Sequence, residues 1–213
     1  YWGDFYQKNN IDWITLPENI SLTEDQQKEM QKLMEQGFDK MIIIPANLVP
    51  EPTITTDPTT GKPTSIANPS YEQLHQLMSD GYTSTATGST YNQDGKFQGS
   101  QDKTTTLRII LTKDVQNLKD DPLFKQTLNK SIEDLETDPQ FNTYTGFSEA
   151  TYLIYQREYV QRIGRHLDED GWTWLPESPR PLSGRVSSAS WDPDDGQLYF
   201  YSGTRGNRGG YLG

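Results

Sequence analysis

The core of this protein has to be built economically, because only 32% of its 213 residues are hydrophobic. Aromatic rings form a large part of that fraction, since 12 Tyr, 7 Phe and 5 Trp make up 11% of the chain. Disordered chains are poor in aromatic residues, so this content indicates a folded protein. A chain of this length is sufficient for one large domain or two small ones.

The absence of cysteine and the net charge of −11 exclude several classes of function. A chain without Cys has no disulfide framework, no thiolate zinc site and no cysteine nucleophile. The two His lie on different predicted elements, so we expect no transition metal and no cofactor. The negative charge disfavours binding to the phosphates of nucleic acids.

The sequence indicates no membrane span, because no apolar run approaches the roughly 20 residues that a membrane helix needs. The first residues have neither the basic start nor the apolar stretch of a signal peptide. The compartment therefore stays open, with a virion or a cell surface among the alternatives. The oligomeric state stays open as well.

The composition changes near residue 171, which separates an acidic body from a tail with no net charge. Every Lys lies at or before Lys130, whereas the tail from Gly171 carries four Arg and four acidic residues. The tail also holds three of the five Trp and eight of the 17 Gly. We interpret the body as helix-bearing and the tail as strands and loops, without a division into two domains.

Capping residues and apolar spacing predict most of the elements of the body. The capping box that begins at Ser21 predicts a helix over 22–36, and Ser148 with Gly164 predicts another over 149–163. The remaining expectations are strands over Met41–Ile44 and Thr104–Thr112, a loop over 50–69, and helices over 69–81 and 120–136.

Two acidic runs are the candidates for carboxylate chemistry. Asp168-Glu169-Asp170 can raise a pKa or hold Ca²⁺, but a solvated loop explains it as well. Asp192-Pro193-Asp194-Asp195-Gly196 has the spacing that begins a calcium loop, although the closing Glu is absent and an Asp-Gly turn between strands fits equally. No nucleophile elbow and no phosphate-binding loop accompany these runs. We therefore expect no enzymatic activity.

The tail has the composition of a binding surface. Ser, Gly, Asn, Arg and Tyr dominate from Tyr199 to Tyr211, which is typical of antibody-like binding loops. Tyr and Arg are also the residues that contribute most to binding energy at interfaces. The alternative is a Gly-rich terminus whose Trp residues only pack the core.

A family resemblance is carried by three segments of the tail. They are Leu182-Ser183-Gly184-Arg185-Val186, then Ala189-x-Trp191-x4-Gly196-Gln197-Leu198, and finally Leu212-Gly213. In this combination the tail resembles the variable proteins of diversity-generating retroelements, of the kind found in archaea, their viruses and uncultured bacteria. The resemblance is strongest over 148–213. The segments Met41–Ile44 and Thr104–Asp114 extend it along the chain.

The resemblance implies an α+β fold, in which residues 1–213 form a single C-type lectin-like domain. Helices including 22–36 and 149–163 would flank a small antiparallel sheet from the tail. Residues 171–213 would be the variable region, altered by adenine-directed mutagenic reverse transcription. Such mutagenesis of Asn codons does not produce Lys, Glu, Gln, Met or Trp, and none of these occurs between Phe200 and Tyr211.

The function implied is the recognition of a macromolecular ligand, expected to be a protein. The expected ligand contacts are Ser188, Ser190, Asp192, Asp194, Tyr199, Tyr201, Ser202, Thr204, Arg205, Asn207, Arg208 and Tyr211. The expected scaffold residues are Trp172, Trp174, Trp191, Gly196, Gln197 and Leu198.

The chain also departs from the family pattern. The family continues past Leu-Gly into a last strand, so we expect that strand to be absent from this sequence. Without Cys, neither the disulfides of extracellular C-type lectins nor the catalytic cysteines of the related formylglycine-generating enzymes are present. Two alternatives remain: a hydrolase that uses Asp168–Asp170 or Asp192–Asp195, and a calcium-dependent glycan-binding lectin. A metal site at variable positions would be lost in most variants, which favours a protein without metal.

Overall fold

Helices dominate the body of the chain and the largest sheet lies near its C-terminal end, which makes this an α+β protein. The computed structural model describes residues 1–49, 53–61, 63–67, 73–76, 104–114, 120–169, 171–180, 185–194, 196–206 and 211–212. The helices are α1 (Trp2–Lys8), α2 (Glu24–Glu35), α3 (Pro122–Thr127), α4 (Ile132–Thr137) and α5 (Glu149–Ile163). The strands are β1 (Lys40–Ile44), β2 (Thr53–Thr56), β3 (Pro63–Ala67), β4 (Arg108–Thr112), β5 (Thr173–Arg180), β6 (Arg185–Asp192), β7 (Gln197–Gly203) and β8 (Tyr211–Leu212).

Helix α5 has the bounds that its end signals predicted. The Ser148 side chain accepts a hydrogen bond from the Thr151 backbone N–H, and Gly164 ends the helix in the left-handed conformation at φ +76°. Ten of its 15 residues are buried, among them Tyr152 and Leu153 from the predicted apolar face. Because α5 is enclosed on most sides, helix α1 and strands β1, β5, β6 and β7 all pack against it.

The tail folds into a four-stranded sheet in the order β7–β6–β5–β8. Strands β5, β6 and β7 are antiparallel, but β8 pairs in parallel with β5, so the expected antiparallel sheet is mixed. The ladder between β5 and β6 shifts register between Leu175 and Pro179. Proline at 176 and 179 has no N–H to donate, which accounts for an interruption there.

The interpretation of residues 50–69 as a loop was wrong in part, because β2 and β3 pair there as an antiparallel hairpin. The Asp57 carboxylate accepts hydrogen bonds from the backbone N–H groups of Thr59 and Thr60, and Gly61 adopts φ +66°. This turn chemistry joins two short Thr-rich strands. A composition rich in Pro and Thr hid the strand pattern.

The single helix predicted over 120–136 is two helices, α3 and α4. Asn129 takes a left-handed backbone at φ +61°, which a helix cannot continue through. Ser131 then starts α4 with a capping box to Asp134. Asp121 caps α3 by accepting from Leu123 and Phe124.

Other differences lie at the edges of the body. The capping box of α2 joins Thr23 to Gln26 rather than starting at Ser21. Helix α1 was not predicted. Of the helix expected over 69–81, residues 73–76 are helical and the rest lies outside the described residues. Among the described helices, none is long and apolar enough to cross a lipid bilayer.

Two hydrophobic clusters lie on opposite faces of the tail sheet. The larger one joins α5 with α1, β1, β6 and β7, and it contains Leu175, Leu198 and Phe200. The smaller one places Trp174 and Val186 against Ile132 and Leu135 of α4 and against Phe141. Neighbouring residues Trp174 and Leu175 therefore enter different clusters, as strand alternation requires.

Truncating Trp174 should destabilise the protein more than truncating Trp191. Trp174 is fully buried, so Trp174→Ala is expected to cost about 3–5 kcal/mol of unfolding free energy. Trp191 is only half-buried, so Trp191→Ala should cost less. Urea unfolding of both variants measures the difference, and a larger loss for Trp191→Ala would contradict this packing.

Candidate ligand-binding site

The hairpin of β6 and β7 separates core residues from surface residues by simple alternation. Leu198 and Phe200 point into the larger cluster and are fully buried. Tyr199, which lies between them, and Tyr201, which follows Phe200, point to the opposite face. Tyr199 is half-buried and Tyr201 is 42% exposed. Successive side chains of a strand point to opposite faces, so the outward residues can change without altering the inward ones.

The outward residues near the hairpin turn form one continuous strip, which we call the tyrosine face. The rings of Tyr199 and Tyr201 stack at 5.7 Å between centroids, with an interplanar angle of 18°. In the register, Ser190 is opposite Tyr199 and Asp192 is opposite Gln197. The tyrosine face consists of Ser190, Asp192, Gln197, Tyr199 and Tyr201.

Ser188 was expected to contact ligand, but the structure buries it to 4% exposure. Its backbone pairs with Tyr201 on one side and with Trp174 on the other, so large side chains flank it on the sheet. A serine between two rings has little surface left for a ligand. Ser188 therefore does not belong to the accessible surface.

The acidic run before Gly196 is the turn between β6 and β7. Asp192 Oδ1 accepts from the Asp194 backbone N–H at 2.9 Å, and the Asp192 carbonyl accepts from Gly196 N–H at 2.9 Å. Gly196 has φ +66°, which explains why glycine occupies this position. Asp194 is exposed, and Asp195 lies outside the described residues. Of the residues that are described, no three acidic or His side chains form a group that could hold a metal.

The far end of β7 contacts α4. Thr204 is exposed, and the Arg205 guanidinium pairs with the Glu136 carboxylate. The Arg205 carbonyl also accepts from Glu133 N–H at 3.5 Å. The remaining expected contacts are not described at the level of side chains: Ser202 and Tyr211 lie in β7 and β8, and Asn207 and Arg208 lie outside the described residues.

The expected scaffold residues differ in how deeply they are buried. Trp174 and Leu198 are fully buried. Trp172 is half-buried, and its ring meets that of Trp174 edge-to-face at 4.5 Å. Gln197 is half-buried at the base of the turn.

Trp191 stacks on His166, a contact that the sequence analysis did not predict. The two rings are parallel within 4° and 3.4 Å apart between centroids. The Gln156 Oε1 accepts from Leu167 N–H at 2.8 Å, which turns its amide nitrogen toward His166 Nδ1 at 3.0 Å. His166 Nδ1 is then an acceptor and the imidazole proton lies on Nε2. Burial lowers the pKa of His166, which favours this neutral form.

Asp168, two residues after His166, connects helix α5 with strands β5 and β6. Its carboxylate accepts from the Tyr152 hydroxyl at 2.8 Å and the Thr173 hydroxyl at 2.9 Å, and its carbonyl accepts from Trp191 N–H at 3.3 Å. Burial raises the pKa of Asp168 to about 6, against the opposing effect of both hydroxyls. Asp168 also holds a left-handed φ of +56°.

The rest of the Asp168 run has separate contacts. Glu169 pairs with Arg165 at 2.8 Å and accepts from His166 N–H at 2.9 Å. Asp170 lies outside the described residues. The carboxylates of Asp168 and Glu169 therefore fasten the loop between α5 and β5 to its neighbours.

A second buried polar pair lies behind the sheet. His75 Nε2 is 3.7 Å from Glu149 Oε2, and both residues are almost completely buried. The His75 ring contacts Phe200 edge-to-face at 5.0 Å. The acidic neighbour of His75 could not be seen in the sequence because the two residues are far apart in the chain.

Comparison with known proteins identifies no relative: no family model matches the chain, and no curated protein or solved structure is significantly similar to it. A function for the protein has to be inferred from the chemistry of the site. The tyrosine face offers rigid rings, hydroxyl groups and one carboxylate on a paired backbone. Such a surface is suited to recognition.

The raised pKa of Asp168 predicts a stability difference that depends on pH. The pKa of Asp168 is about 6 in the folded state, against the usual 3.8, so the folded protein binds this proton more tightly than the unfolded chain does. The resulting stabilisation is complete below pH 3.8 and is lost as the pH rises through 6. Asp168→Asn keeps an acceptor and tolerates the left-handed backbone, but it removes the titration. The unfolding free energy of wild type relative to Asp168→Asn should fall by about 1–3 kcal/mol between pH 4 and pH 7. A constant difference across urea unfolding at pH 4, 5, 6 and 7 would contradict the assignment.

Proposed function

We propose that this chain is a non-enzymatic binding protein. Its tyrosine face contacts a macromolecular ligand, and that ligand is a protein. The observation that carries this proposal is the alternation in β7, where buried Leu198 and Phe200 separate outward Tyr199 and Tyr201. Core and surface are divided residue by residue on one strand. Ligand contacts can therefore change while the fold stays the same.

The chemistry of the face is suited to recognition. Tyrosine gives a large contact area with few rotatable bonds, so it loses little entropy when it becomes ordered at an interface. The strand ladder from β5 to β7 holds the face through backbone hydrogen bonds, which do not depend on side-chain identity. A rigid surface also limits the entropy lost on binding.

We further propose that the fold is C-type lectin-like over residues 1–213 and that 171–213 is a region diversified by a retroelement. Support comes from the order of the elements: the buried helix α5 is followed by the tail strands, whose outward side carries four of the expected contacts, Ser190, Asp192, Tyr199 and Tyr201. The carboxylate alternatives gain no such support. The Asp168 carboxylate accepts from the Tyr152 and Thr173 hydroxyls, and the Asp192 carboxylate accepts from the Asp194 backbone N–H.

Sequencing of sibling genes tests this function directly. If the tail is diversified, variation should concentrate at codons for Ser190, Tyr199 and Tyr201 and be absent at Leu198 and Phe200. A reverse transcriptase gene and a near-copy of the tail-coding DNA, differing at adenines, should lie nearby. Equal variation at Leu198 and Tyr199 would overturn the proposal.

The expected contact residues should contribute little to stability. We predict that replacing Tyr201, Thr204, Arg205 and Asn207 together by Ala leaves the melting temperature nearly unchanged. Tyr201 and Thr204 are exposed, and the Arg205–Glu136 pair is a surface ion pair, for which about 0–1 kcal/mol is typical. Thermal unfolding followed by circular dichroism measures this. A quadruple variant that unfolds at room temperature would show that these residues are scaffold.

A further inference from the structure

We propose that the partner of the tyrosine face is a positively charged protein segment, whose Arg or Lys side chain lies on the rings of Tyr199 or Tyr201 and pairs with Asp192 or Asp194. This inference rests on the proposed function and names the chemistry of its ligand. It is carried by the arrangement of rings and carboxylates at the turn end of the hairpin.

The register places the rings and carboxylates within reach of one cation. Asp192 is opposite Gln197, so Tyr199 is its diagonal neighbour on the same face, about 7–8 Å away. A guanidinium binds an aromatic ring when it lies within about 6 Å of the centroid. One Arg side chain placed between them can therefore contact the ring and the carboxylate together. Tyr201, stacked on Tyr199, extends the aromatic surface along the strand.

The charges around the face favour a cationic partner. The chain as a whole carries −11, and Asp192 and Asp194 place negative charge at the turn. Arg185 begins β6 at the far end, seven residues and about 23 Å from Asp192. That separation exceeds the Debye length of about 8 Å at physiological salt, so Arg185 does not cancel the charge at the turn. Arg205, also at the far end, is paired with Glu136.

The charged groups around Trp191 lie beneath the opposite face of the hairpin. Trp191 faces inward and stacks on His166, whose neighbour Arg165 is paired with Glu169. His166 is held neutral by its contact with Gln156 and by burial. The described groups on that side thus add no unpaired cation that would repel a basic ligand.

The shape of the tyrosine face suits a polypeptide. From Gln197 to Tyr201 it runs four residue steps, or about 13 Å along the strand. An extended peptide of similar length, or one edge of a folded protein, can cover this distance. A nucleic acid would be repelled by the charge of −11.

The test uses two synthetic heptapeptides as probes, Gly-Arg-Gly-Arg-Gly-Arg-Gly and the same peptide with Glu in place of Arg. Each is titrated into ¹⁵N-labelled protein at low salt, and amide chemical shifts are recorded. We expect the Arg peptide to shift resonances mainly over 190–201, and we expect at least tenfold weaker binding of the Glu peptide.

Matched variants separate the site from general attraction to an acidic protein. Asp192→Asn with Asp194→Asn removes two charges while keeping the side-chain acceptor that supports the turn. Tyr199→Ser with Tyr201→Ser removes the rings. Each pair should weaken Arg-peptide binding about tenfold. The control, Asp25→Asn with Glu29→Gln on the exposed face of α2, removes the same charge and should change binding less than twofold. Circular dichroism confirms that each variant folds.

Three outcomes would overturn the inference: no binding of the Arg peptide, equal binding of the Glu peptide, or equal weakening in the control. Sequencing of sibling genes keeps this result distinct from the function itself. Variation at Tyr199 and Tyr201 without Arg-peptide binding overturns only the basic partner. An invariant face that binds the Arg peptide supports the basic partner and overturns diversification.

Discussion

The burial of helix α5 is the constraint on which the rest of the structure depends. Its buried residues face α1, β1 and the tail sheet at once, so each of these elements is positioned against the same helix. A sequence with 32% hydrophobic residues has few side chains for a core. Because one helix is buried on most sides, a small number of large rings on it can pack against several elements at once.

Polar contacts then fix the orientation of the helix. Glu158 is fully buried and accepts hydrogen bonds from the Tyr1 hydroxyl at 2.5 Å, the Lys40 ammonium at 2.5 Å and Arg162 Nε at 2.9 Å. Although burial opposes ionisation, these donors hold the pKa of Glu158 below its usual value. A buried carboxylate with three donors links the N-terminus and β1 to α5. At the other end, Asp168 links α5 to the tail sheet.

The hairpin surface takes its rigidity from this support. Trp191 on β6 is stacked on His166, and the backbone of Trp191 is bonded to Asp168. Tyr199 and Tyr201 then project from a strand that is held on its other side by Leu198 and Phe200. A recognition surface requires a backbone that is held by buried residues and side chains on its outer face that do not support the fold. Such side chains can vary because the backbone does not depend on them.

The sequence by itself determined those features that depend on nearby residues. Ser148 and Gly164 fixed the ends of α5, and the Asp-Gly sequence before Gln197 fitted a turn between two strands. It did not reveal the break at Asn129 or the strands among the Thr and Pro of 53–67, where local composition masks the pattern. Only the tertiary structure decided which side chains meet. His166 on Trp191, Asp168 with Thr173, the burial of Ser188 and the pairing of β8 with β5 all depend on tertiary packing, and such contacts between distant residues leave no periodic signal in a single sequence.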